Sequence, residues 1–174
     1  MEAIHLILPT EGNLDQVWDY RRECLDAGSS MDGCGPMRLD DPNKWLDHVI
    51  RYTDPATLPE GKVLATQFLA VRKSDGRLVG MIQVRHYFNE YLEKYAGHIG
   101  YSVRPSERRK GYAKEMLRLA LPYCKGIGLI RVLVTCNVDN EGSRRTILAN
   151  GGVYDRTVHE PEEDVDLERY WITL

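Results

Sequence analysis

No apolar run in this chain approaches the ~20 residues that a bilayer-spanning helix requires. The opening stretch MEAIHLILPTEGN has neither the basic segment nor the small-residue cleavage site of a secretory signal. A soluble, cytoplasmic protein is therefore expected. Cysteines are few and far apart: Cys24, Cys34, Cys124 and Cys136 form no Cys-x-x-Cys pair and have no histidine pair beside them, which argues against zinc. Disulfides are not expected in a cytosolic chain, and Cys124 and Cys136 fall on apolar patterns typical of small core residues. Internal repeats and low-complexity tracts are missing. So are the P-loop pattern G-x-x-x-x-G-K-S/T and the dinucleotide pattern G-x-G-x-x-G. Net charge is also small, −3 with a pI near 6.0, which removes any global attraction to nucleic acid or anionic membrane. A basic cluster in such a chain is a local device.

What is present fits one domain over residues 1–174, whose 43% hydrophobic content supports a single substantial core. The stretch IHLIL (4–8) reads as a strand, and 14–26 as a helix with Leu14, Val17, Trp18 and Leu25 at helical spacing. Residues 27–42 hold three glycines and two prolines, a loop too long for a mere connection. A short helix is expected over 43–53. Strands at 64–72 and 78–88 flank the turn signal Asp75-Gly76 and form an antiparallel hairpin. A further strand (98–103), a helix starting near Arg109, a β-branched strand (130–138), a short helix (141–150) and two closing strands complete the chain. The closing strands flank the acidic stretch HEPEEDVD, read as a loop. The expected fold is α/β: a mixed, mostly antiparallel sheet of six to seven strands with one parallel crossover and helices on both faces.

One stretch, SVRPSERRKGYAKEML (102–117), conflicts with helix electrostatics. Ala113, Met116, Leu117, Ala120, Leu121 and Cys124 mark one buried face. Arg108, Arg109 and Lys110 nevertheless crowd the N-terminus, where the macrodipole is already positive and an acidic or Ser/Thr cap is favoured. Free backbone N–H groups, cations and the close approach allowed by Gly111 together make a site for phosphate or diphosphate.

Placed after a strand that ends in Val-x-Pro, the segment HIGYSVRPSERRKGYA resembles the acetyl-CoA-binding motif of the GNAT superfamily of N-acetyltransferases, Gln/Arg-x-x-Gly-x-Gly/Ala. Arg108, Gly111 and Ala113 take the patterned positions. The later segment NVDNEGSRRTILANGGVYD is similar to the family's strand, Asn, short helix and Gly-aromatic turn, and the element order matches over essentially the whole chain. The resemblance implies an acyltransferase using acetyl-CoA as co-substrate and no metal. It implies that the amides of Arg109, Lys110, Gly111, Tyr112, Ala113 and Lys114, beside Arg108, hold the coenzyme pyrophosphate. Tyr101, Ser102 and Val103 would pair with pantetheine, and Asn140 and Ser143 would contact the coenzyme from the next strand and helix. The two parallel strands are expected to splay apart there.

The reaction implied is direct acetyl transfer to a primary amine, with a backbone N–H near Val103 polarising the thioester carbonyl. The family's usual acid, a Tyr, is replaced by Leu148, and Val153 stands for the aromatic of the turn. Tyr154 is the candidate acid, with Tyr112 a further one. The usual base position falls on Gly97, so neighbouring His98 is the candidate base, with Glu90 and Glu93 as alternatives. Acidic residues over 28–60 and 159–167 suggest a cationic amine acceptor, such as a polyamine, aminoglycoside or lysine side chain. No nucleic-acid or membrane partner is expected, and the protein is expected as a monomer or homodimer. Two competing readings are a non-catalytic acyl-CoA-binding regulator, encouraged by Leu148 and Gly97, and a nucleic-acid recognition helix at RRKGYAKEMLRLAL. The acidic balance opposes the second.

Overall fold

The computed structural model describes residues 1–174. Its elements run β1 (Ile4–Ile7), α1 (Leu14–Asp26), α2 (Pro42–Arg51), β2 (Ala65–Arg72), β3 (Leu78–Arg85), β4 (Ile99–Val103), α3 (Tyr112–Gly126), β5 (Arg131–Asn137), α4 (Glu141–Leu148), β6 (Val153–Glu160) and β7 (Val165–Thr173). This is the order expected from the periodicities. Local chemistry explains the boundaries. Asp41 caps α2 by accepting from the amides of Asn43 at 2.8 Å and Lys44 at 3.1 Å, and Pro42 sits in the first turn, where its missing donor costs nothing. Gly76 adopts φ +71° in the β2–β3 turn, and Asp75 accepts from the Arg77 amide at 3.1 Å.

The seven strands form one sheet in the order β1-β2-β3-β4-β5-β7-β6, antiparallel except for β4 beside β5. Alternation along the strands sends side chains to two cores on opposite faces. On one face Ala70 and Ile82 join Met116, Leu117 and Ala120 of α3 and Ile147 of α4. On the other, Leu69 and Met81 pack with Val17 and Tyr20 of α1 and Trp45 of α2. Each fully buried large apolar side chain contributes roughly 1.5–3 kcal/mol relative to exposure. All four cysteines are free and buried, and burial pushes the Cys124 and Cys136 thiols up to about 11.

Three boundaries differ from the sequence reading. The helix read from near Arg109 begins at Tyr112, because Arg109 (φ +61°) and Gly111 (φ +86°) turn the preceding residues into a left-handed loop. The acidic stretch 159–166 is half strand: His159 pairs with Asp166 and Glu160 with Val165, leaving a four-residue turn at 161–164. Residues 89–97, to which the sequence assigned no element, contain a π-helical turn at Leu92–Ala96. The long 27–41 segment is ordered and stitched to the sheet. Met31, Cys34 and Met37 are buried in the second core, and Trp45 Nε1 donates to the Cys34 carbonyl at 2.6 Å.

Candidate active site

The parallel pair supplies the opening. β4 pairs with β3 along its whole length, from Ile99 to Val103. Against β5 it has register only at Ile99, opposite Val134. The two strands join at their start, where the His98 amide donates to the Leu133 carbonyl at 2.8 Å. Beyond Ile99 the strands part, so Tyr101–Val103 have no partner on that side. Tyr101 bridges the gap by its side chain, its hydroxyl 2.7 Å from Ser143 Oγ in α4. Burial raises the Tyr101 pKa well above the usual phenol value, so the hydroxyl stays protonated.

At the mouth of this split lies the loop before α3. The amides of Arg109, Lys110, Gly111, Tyr112, Ala113 and Lys114 donate to no backbone or side-chain acceptor, and the first helical bond is from Glu115 to the Gly111 carbonyl at 3.2 Å. Six consecutive free donors at a helix N-terminus form a ready anion cradle. The charges around them are better arranged than the sequence implied. Glu107, 5% exposed, accepts Lys110 Nζ at 2.9 Å and Arg72 Nη1 at 3.0 Å and lies 3.1 Å from Arg77 Nε. Its burial alone would raise its pKa, but the bond from Lys110 and the charges of Arg72, Lys110 and Arg77 hold it below the usual carboxylate value. Arg108 folds back, donating from Nε to the Val103 carbonyl at 3.1 Å and from Nη2 to Ser29. Arg109 makes no ion pair and remains exposed at the cradle. Sequence reasoning counted three cations and missed Glu107, although its i,i+3 spacing to Lys110 was visible.

The remaining candidates divide. Asn140 caps α4, its Oδ1 accepting from the Ser143 amide at 3.0 Å. Ser102 is buried and bonded to Tyr20 and Cys34, so it supports the sheet through its side chain and can offer a ligand only its backbone. The Tyr112 ring is buried in the core under Arg72, which removes it as a free acid.

His98 has a structural occupation: it is buried, its Nδ1 accepts the Leu133 amide at 2.9 Å, and its ring lies 4.0 Å from Phe88. Burial and the nearby Arg85 charge lower its pKa to about 4, the opposite of what a base working at neutral pH needs. Tyr154 is exposed on β6, two strands from the split, with its hydroxyl 2.9 Å from Thr157 Oγ1. Glu90 and Glu93 line a different cleft.

On the face opposite α3, the 27–41 loop presses on β4. A Cβ at Gly33 would lie 2.0 Å from the Gly100 carbonyl oxygen, so only glycine, at φ +70°, permits the contact. Gln67 Nε2 holds the Gly33 carbonyl at 2.8 Å. Asp32, exposed at the tip, lies close enough to raise the Tyr101 pKa and to oppose the fall of Arg85, which burial brings down to about 10. Tyr91 is raised by burial and by Glu160, Glu163 and Glu162, and the Leu92–Ala96 turn packs against β6. The Glu160 carboxylate is itself buried and accepts the amides of Glu162 at 3.2 Å and Glu163 at 2.7 Å. Three segments, at 27–35, 89–97 and 160–164, thus bring acidic groups to the side of the sheet opposite α3. An acidic opening results.

A family model of the acetyltransferase (GNAT) domain matches residues 7–153. No curated protein sequence matches the chain. Among solved structures, the ribosomal-protein-S5-alanine acetyltransferase from Vibrio fischeri superposes with a TM-score of 0.75 at 16% identity, covering 99% of this chain and 94% of that one. A putative acetyltransferase from Salmonella typhimurium, determined with its cofactor acetyl-CoA, gives 0.68 at 11% identity over 99% and 94%. The spermidine N-acetyltransferase SpeG chimera from Vibrio cholerae and hSSAT gives 0.68 at 15% identity over 98% and 94%. At these identities the likeness is one of fold. The split strands and the free-amide loop lie within the span that the family model covers, and on that match the chain belongs to the GNAT family of acetyltransferases.

Proposed function

We propose that the protein transfers an acetyl group from acetyl-CoA to a primary amine of a small molecule or peptide, directly and without a covalent enzyme intermediate. The observation that carries this reading is the run of six unpartnered amides, Arg109–Lys114, at the mouth of the β4–β5 split. That cradle fits a diphosphate, with unpaired Arg109, and Lys110 held beside it by Glu107, supplying positive charge. Tyr101–Val103, free of strand pairing on the β5 side, offer main-chain groups to pantetheine, while Asn140 and Ser143 close the far wall. The coenzyme supplies an activated acetyl thioester.

The protein's own contribution is orientation and proton handling. A β4 amide freed by the split is suited to polarise the thioester carbonyl. The hydroxyl pair of Tyr101 and Ser143 spans the split and offers a proton to the departing thiolate. On the other side the amine enters between the 27–35 loop and the β6–β7 turn, where Asp32 is placed to accept its proton. This assignment replaces His98 and Tyr154, whose geometry suits structural roles. The acidic entrance favours a cationic acceptor, a class that includes the spermidine used by one structural neighbour and the protein N-termini acetylated by others.

Free-thiol release from acetyl-CoA, measured across polyamines, aminoglycosides and peptides with free N-termini or lysines, tests the reading. Turnover is expected with at least one amine of this panel and is expected to fall at least tenfold in Asp32→Asn. Tight acetyl-CoA binding without thiol release on any amine would instead favour a regulatory binder.

A further inference from the structure

A second cleft lies apart from the coenzyme split. It has a volume of about 680 Å³ and lies on the sheet face opposite α3, over β5, β7 and β6, where neither α1 nor α2 reaches. The π-helical turn Leu92–Ala96 walls one side. Arg131, at the floor, pairs in register with Thr173 at the end of β5 remote from Asn137, where the split opens. The cleft is thus separated from the coenzyme and shares only the 89–97 segment with the amine entrance; nothing in the transfer chemistry uses its arginines.

Its chemistry is specific. Arg169, 4% exposed, projects into the cleft with its Nε sealed from solvent and without a hydrogen-bond acceptor. Asp155 forms an ion pair with it, Oδ2 3.5 Å from Nε, but outside hydrogen-bonding geometry. A buried guanidinium that its neighbouring carboxylate does not engage in a bidentate fork can take a second carboxylate. Arg131 stacks 4.0 Å over the Trp171 ring and has no ion pair. Phe88 and Trp171 supply the apolar surface, with ring centroids 6.5 Å apart. Glu90 and Glu93, exposed and unpaired, share the lining with Asp155, Lys94 and Arg156.

We infer that this cleft binds a small zwitterion, an α-amino acid with an apolar side chain. Its carboxylate bridges Arg169 and Arg131, its ammonium faces Glu93 and Glu90, and its side chain lies on Phe88 and Trp171. A simple anion is disfavoured by the neighbouring carboxylates, and a simple cation would leave Arg169 unanswered. The site is a second ligand site, one that communicates with β4 through His98, whose ring is 4.0 Å from Phe88 and 6.4 Å from Trp171.

The test is calorimetric titration of the full chain with L-phenylalanine, phenylacetate and phenethylamine, with Trp171 fluorescence followed in parallel. L-Phenylalanine is expected to bind and to shift the fluorescence, with either fragment at least tenfold weaker. Arg169→Met and the surface variant Glu93→Gln are each expected to weaken L-phenylalanine at least fivefold while leaving acetyl-CoA affinity unchanged. Absence of binding at 10 mM (roughly a −2.7 kcal/mol standard binding free energy at that Kd) overturns the inference. So does equal affinity for phenylacetate, or wild-type affinity in Glu93→Gln, which is exposed and free of folding risk.

Discussion

At the scale of single residues, the buried groups separate scaffold from chemistry. His98 is the clearest case. In the folded protein its pKa is about 4, against roughly 6.5 in the unfolded chain, so between those values the unfolded state binds the proton more readily. Its contribution to stability is therefore complete above pH 6.5 and is lost as pH falls toward 4, by up to about 3 kcal/mol. His48 and His86 are lowered in the same direction by burial, so the comparison must be with a variant. His98→Asn, which offers an amide oxygen to Leu133 without titrating, is expected to flatten the pH 4–6.5 slope of urea-unfolding stability relative to wild type. An unchanged slope would mean the ring is not held neutral. Glu107 carries the complementary prediction. Replacing it with Gln leaves Arg72, Arg77 and Lys110 without their shared carboxylate, at a cost of roughly 2 kcal/mol, below the 3–5 of fully enclosed pairs because Lys110 and Arg77 are partly exposed. Thermal unfolding should fall by several degrees, and the KM for acetyl-CoA should rise as the cradle loosens.

At the scale of elements, the sequence was legible wherever a period or a cap decides the outcome. The β2–β3 hairpin, α1 and the succession of elements along the chain follow from apolar spacing and turn residues such as Asp75-Gly76. The free-amide loop was legible for the same local reason: Gly111 and the cations declare an anion site, and only its start was misplaced, because Arg109 takes a left-handed conformation that sequence pattern does not reveal. Side-chain roles were less legible. His98 and Tyr154 were chosen by neighbourhood in the chain, whereas their hydrogen bonds and strand positions depend on contacts 35 residues away, as between His98 and Leu133, or on where β6 falls in the sheet. The loop at 27–41 was recognised as too long, but its seat on β4 was invisible until Gly33 met Gly100. Gly33→Ala introduces a Cβ into the Gly100 carbonyl and forces a left-handed conformation costing about 1–2 kcal/mol before the overlap is relieved. Turnover with the best amine should fall at least tenfold, while the acetyl-CoA Kd, set on the other side of the sheet, should change less than threefold. A parallel loss of both would show that the loop does not act through the amine side.

At the scale of the whole molecule, a chain of net charge −3 separates its charges by function. Cations gather at the coenzyme loop, and Asp32, Glu162 and Glu163 gather at the opposite entrance. Steering of a cationic acceptor by this entrance predicts that raising salt from 50 to 500 mM increases its KM severalfold while changing kcat little, since exposed charges are screened over a Debye length that shrinks with salt. A KM indifferent to salt would remove the acidic entrance from the recognition of the amine. The coenzyme cradle is the more fundamental claim, because both the split strands and the acidic entrance have a catalytic meaning only if a diphosphate is anchored at Arg109–Lys114. Calorimetric binding of acetyl-CoA to wild type and to Gly111→Glu measures this directly. Gly111 is exposed at φ +86°, outside both cores, so a carboxylate there adds negative charge and bulk to the cradle without entering the core. The account predicts at least a hundredfold loss of affinity with circular dichroism unchanged, and wild-type affinity in the variant would contradict it.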